Sequence, residues 1–124
     1  MKPKILALTL ALGAFTANAG TFNVDDFVLD STQDLVDVCG APASDPMHDE
    51  ATIFCIGYLA AATDYHDAMA RAPDLGPIVC AKADVTRIDV IDVFLEWAAK
   101  NPQHRDAPPI ESLLQAAAEK WPCK

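Results

Sequence analysis

Four cysteines, Cys39, Cys55, Cys80 and Cys123, are the residues that most directly commit this chain to a chemistry. An even count in a short chain reads as a disulfide framework, and four cysteines allow three connectivities. The competing use, a zinc site, needs ligands at short characteristic spacings. The sequence has no C-x-x-C pair, and His48, His66 and His104 hold no ligand-like spacing to the cysteines, so no metal is expected. Asp64, His66 and Asp67 crowd one stretch and could in principle move a proton. On a helix, however, residues i and i+2 point in different directions, so Asp64 and His66 do not share a site there. Ser44 and Ser112 have no nucleophile setting and no glycine-rich phosphate loop occurs. The chain is therefore expected to be no enzyme and to carry no cofactor.

The front of the chain says where the cysteines work. Lys2 and Lys4 form a charged start, Ile5 to Ala17 is an apolar run, and Ala17-Asn18-Ala19 is a small-x-small cleavage pattern. The run falls short of the roughly 20 apolar residues of a spanning helix. Residues 1–19 are thus expected to be a signal peptide and residues 20–124 a single exported domain, in an oxidising compartment. Removing the two signal lysines takes the formal charge from −9 to about −11. Such a body repels nucleic acid and anionic membrane and is steered toward a basic protein partner.

These residues need elements to position them. Ser31 with Asp34 opens a short helix that Gly40 stops. Asp45-Pro46 opens a long second helix running to about Arg71, before Ala72-Pro73. Thr86 with Asp89 starts a third, ended by Asn101-Pro102. A fourth runs from about Pro108 to Trp121. Thr21 to Leu29 is an extended arm or a helical turn. The fourth helix repeats Ile110, Leu113, Leu114, Ala117 and Trp121 as one apolar stripe. The third shows Val90, Phe94 and Trp97, widened by Ile91, Leu95 and Ala98. The second is apolar almost all round from Ile53 to Ala62, the pattern of a central helix covered on several sides. The fold class expected is a small all-α, disulfide-stapled helical bundle of about four to five helices. A short connection makes the third and fourth helices antiparallel. That brings Cys80, before the third, to Cys123, after the fourth, and leaves Cys39 to meet Cys55.

Cys55-Ile56-Gly57-Tyr58, followed six residues later by Asp64, resembles the C-x-G-Y…D signature of the Rap/Tai immunity proteins. These guard bacteria against peptidoglycan amidases delivered by type VI secretion. The resemblance continues through Val85-Thr86, Asn101-Pro102 and the terminal Trp121-Pro122-Cys123. Ala61, where the family often has glycine, and Lys82, where it commonly has proline, depart from it without touching the cysteines. The resemblance implies a periplasmic all-helical protein, commonly a homodimer, that occludes an amidase's active-site cleft without chemistry of its own.

Two connections are candidates for that contact, Ala72 to Val79 and Asn101 to Pro109. The second offers Asn101, Gln103, His104, Arg105 and Asp106 as effector-binding candidates. Among the motif residues, Tyr58 is expected to pack and use its hydroxyl locally, Asp64 to cap or pair within the fold, and Gly57 and Pro122 complete the signature. The apolar excess of the second helix is a candidate homodimer surface. A periplasmic stress chaperone is the alternative role, because acid would neutralise the many carboxylates and lower solubility, although two bridges would restrain the opening it needs.

Overall fold

Ser31 ends an irregular lead-in by capping the helix that follows. Its hydroxyl accepts the Asp34 amide, while an Asp34 carboxylate oxygen accepts the Ser31 amide at 2.7 Å. This reciprocal cap satisfies two otherwise orphaned donors and opens α1, Thr32–Cys39. Gly40 closes it by donating its amide to the Val36 carbonyl at 2.8 Å. A Cβ at position 40 would sit 2.8 Å from that same oxygen, so only glycine allows this close approach. The computed structural model describes residues 24–124. The expected signal segment 1–19 and the first residues of the arm at Thr21 lie outside them. The described part of the arm contains a 3-10 turn, Val24–Phe27.

Helix α2 runs His48–Ala70. It begins two residues after Asp45-Pro46, because the Asp45 carboxylate first accepts the Met47 amide at 2.8 Å and makes a turn of its own. Helix α3, Arg87–Lys100, starts with a second reciprocal cap between Thr86 and Asp89 and stops at Asn101. A 3-10 turn, Pro102–His104, leads toward α4, Pro109–Lys120. Pro109 suits the first helical position, where its missing N–H is not needed. Among the described residues there are four α-helices and no strand.

Short α1 is the hub. It packs against α2, α3, α4 and the leading turn, while α3 and α4 pair most extensively with each other. Leu35 and Val38 of α1 meet Cys55 and Leu59 of α2, Phe94 and Trp97 of α3, and Leu113 and Ala116 of α4 in one core. Full burial of a side chain such as Leu35 or Phe94 contributes about 1.5–3 kcal/mol. On α4 the buried line is shifted by one position from the apolar repeat: Ser112, Leu113, Ala116 and Ala117 are buried, whereas Ile110, Leu114 and Trp121 are half-buried. Ser112 turns inward because its hydroxyl shares a 2.7 Å hydrogen bond with Thr32 Oγ1, which also donates to the Ala107 carbonyl.

The central position expected for the second helix is corrected by the structure. Of α2 only Ala51, Cys55 and Leu59 are buried, a single stripe at i, i+4 and i+8. Ile53 is 72% exposed and Tyr65 66%. One neighbouring layer covers α2, so its all-round apolarity is not spent inside this chain.

The sulfur pairing follows the antiparallel arrangement. Cys39 bonds Cys55 and Cys80 bonds Cys123, with no free cysteine. The second bond is reinforced where the Cys80 amide donates to the Trp121 carbonyl at 2.9 Å.

Candidate functional site

The corner between α3 and α4 is built around Trp97. Its indole N–H donates to Glu119 on α4 at 2.8 Å, its carbonyl accepts the Asn101 side-chain amide, and the His104 ring lies 5.1 Å away at a tilt. Gln103 donates to Asn101 Oδ1. The backbone continues into α1, where the Gln33 amide donates to the Arg105 carbonyl and the Thr32 amide to the Ala107 carbonyl. Of the five candidates here, Asn101, His104 and Arg105 are half-buried and hold the corner, whereas Gln103 and Asp106 are exposed. The corner is thus a fixed ridge with two polar side chains facing solvent, and it can present hydrogen-bonding groups without first becoming ordered.

The signature residues of α2 divide. Tyr58 is half-buried against the core, burial pushes its phenol above the ordinary value, and its hydroxyl makes no hydrogen bond among the described residues. Asp64 is exposed and, among the described residues, neither caps nor pairs, contrary to the expected internal role. Gly57 is exposed too, and a Cβ there would meet nothing within 4 Å. Pro122 is exposed beside the Cys80–Cys123 bond. The structure therefore does not gather Gly57, Tyr58, Asp64 and Pro122 into one site.

His66 has a task that sequence spacing does not reveal. Its Nε2 accepts the backbone amides of both Ile78 and Val79 at 3.2 Å, and its Nδ1 lies 3.3 Å from Asp67 Oδ1. With Nε2 occupied as an acceptor, the imidazole pins the α2–α3 connection to α2. This arrangement leaves it no free lone pair for a substrate proton. Among the described residues no group of three or more metal-binding side chains occurs.

Between α2, the start of α3 and α4 runs an open groove of about 770 Å³. Ile56, Val90, Leu114 and Trp121 give it an apolar floor, and Asp67, Lys82 and Arg87 stand at it with both signs of charge. Leu114 and Trp121, which the core leaves half-buried, are the members of the α4 stripe that line this groove together with Leu113 and Ala117.

No curated protein and no solved structure matches the chain. A family model for Rap1a immunity proteins matches residues 31–123, from the cap of α1 to the last cysteine. That family is not an enzyme family, and its members' role implies an effector protein as partner. The match takes in every helix and both disulfides just described, and the chain belongs to the Rap1a immunity protein family.

Proposed function

We propose that this chain is a periplasmic immunity protein that binds a type VI-delivered peptidoglycan amidase and covers its active-site cleft, performing no chemistry itself. The observation that carries this reading is the family match across residues 31–123. A preordered, stapled scaffold supports it, since such a binder loses little conformational freedom on association. So does the negative charge, which would steer the chain toward a basic cleft. Gln103 and Asp106, on the ridge held by Trp97, are the side chains proposed to reach the cleft. The proposed assembly is a homodimer, with the second copy on the groove between α2, α3 and α4. Charges of both signs there let a surface face its own copy.

The test pairs the mature, oxidised chain with type VI-delivered peptidoglycan amidases, beginning with any encoded next to this chain's own gene. Stoichiometric loss of peptidoglycan cleavage is the expected outcome, with a nanomolar-range complex. Unchanged cleavage in the presence of excess chain would refute the proposal.

A further inference from the structure

The outer face of α2 carries two features that the fold itself does not use. Ile53, Gly57, Ala60, Ala61 and Asp64 follow one another along the side opposite Cys55 and Leu59, with Tyr65 on its flank. Ile53, Gly57, Ala61 and Tyr65, spaced four residues apart, are all exposed, so an uncharged strip faces outward beside Asp64. Within it stands a glycine, a residue that weakens a helix interior. Nothing inside the chain requires it, because a Cβ at position 57 would point into open space. A surface that approaches the helix backbone closely does require it.

Charge selects the occupant. Asp49 and Glu50 lie at one end of the strip, Asp64 and Asp67 toward the other, and Arg71 follows the helix. Asp49, Glu50 and Asp64 form no ion pair among the described residues, and Asp67 meets only His66. Two copies of this face in contact would set eight carboxylates against two guanidiniums. An antiparallel pairing could match each Arg71 with the other copy's Asp49 or Glu50 and would still leave a negative excess, a like-charge arrangement that disfavours association.

We infer that the outer face of α2 is a docking surface for a protein with an apolar ridge bordered by lysine or arginine, and that this protein is the effector. The inference rests on the effector-binding reading above and adds to it a contact surface separate from the Gln103–Asp106 ridge.

The probe is the amidase inhibited in the test above, made catalytically inactive and titrated by calorimetry against the oxidised mature chain. Gly57→Leu is expected to weaken binding by about 100-fold or more, as removal of a central close contact does. Its melting temperature should stay equal or rise, because leucine favours helix. Asp64→Lys is expected to slow association by about tenfold at low salt, with the difference shrinking as salt screens it. Wild-type affinity in Gly57→Leu would overturn the inference while leaving the immunity role standing. So would a Gly57→Leu variant that loses only self-association in sedimentation, since a second copy would then be the occupant. If the wild-type chain itself fails to bind the amidase, the immunity reading falls and this surface assignment with it.

Discussion

Asp37 lies half-buried on α1, with its Oδ1 accepting the Gln33 side-chain amide at 2.6 Å. Burial raises its carboxyl above the ordinary value. The Gln33 hydrogen bond opposes that shift, Asp26 and Asp34 add to it, and Arg105 draws it back. A raised value means that the folded chain holds this proton more tightly than the unfolded chain does. Stability from Asp37 therefore grows as pH falls through the folded value and levels off below the unfolded 3.8. Asp37→Asn keeps an acceptor for Gln33 and removes the charge. It is expected to stabilise the fold at pH 7 by less than about 1 kcal/mol, the discounted scale for a partly solvated group. Urea unfolding at pH 7 and pH 3 checks this: the gain should vanish at the lower pH, and a loss at pH 7 would mean that Arg105 outweighs burial. Asp89 behaves oppositely. Hydrogen bonds from the Thr86 hydroxyl and amide hold its carboxyl below the ordinary range, so the cap's contribution is present at neutral pH and fades as acid protonates it.

Between α2 and α3 the chain crosses from Arg71 to Thr86 without regular structure, and His66 is one of the few groups that fix it. The two amides it accepts, those of Ile78 and Val79, come just before Cys80, so the imidazole and the disulfide anchor adjacent points of one connection. His66→Ala should speed amide exchange at Ile78 and Val79 by about tenfold each, the equivalent of one modest hydrogen bond. Amides inside α2 should keep their protection. Unchanged exchange in the variant would assign the anchoring to the disulfide alone. This element also shows what sequence can and cannot disclose. The caps at Ser31 and Thr86, the stops at Gly40 and Asn101 and the sulfur pairing were legible because each rests on neighbours in sequence or on a short connection. His66 meeting Ile78, and Thr32 meeting Ser112 across 80 positions, depend on how helices stack, and no local spacing encodes them. The exposed side of α2 was misread for a related reason: apolarity along a helix does not say which of its sides the rest of the chain covers.

For the molecule as a whole, two disulfides bracket different amounts of chain. Cys39–Cys55 closes a separation of 16 residues and ties α1 to α2, while Cys80–Cys123 closes 43 and ties the α2–α3 connection to the C-terminus. Restricting the unfolded chain gives about 3 and about 4 kcal/mol respectively on the loop-entropy model. Burial narrows that difference. Cys55 is fully buried in the core, so replacing it with alanine also leaves a sulfur-sized void costing roughly 1 kcal/mol. The two double-alanine variants should therefore lose similar stability in urea. Accessibility is what separates the bonds, since thiol exchange requires a thiolate to reach a sulfur. Cys80 is exposed and Cys55 is not. Under limiting reductant at neutral pH, with thiols trapped by alkylation and located by mass spectrometry, Cys80 and Cys123 should be labelled first. The helical signal should persist at that stage, because the Leu35–Phe94 core and the Cys39–Cys55 bond are still in place. Labelling of Cys39 and Cys55 should follow later, since neither sulfur of that bond is exposed: Cys39 is half-buried and Cys55 fully buried. Simultaneous labelling of all four would show that the bundle opens as one unit before either bond is attacked.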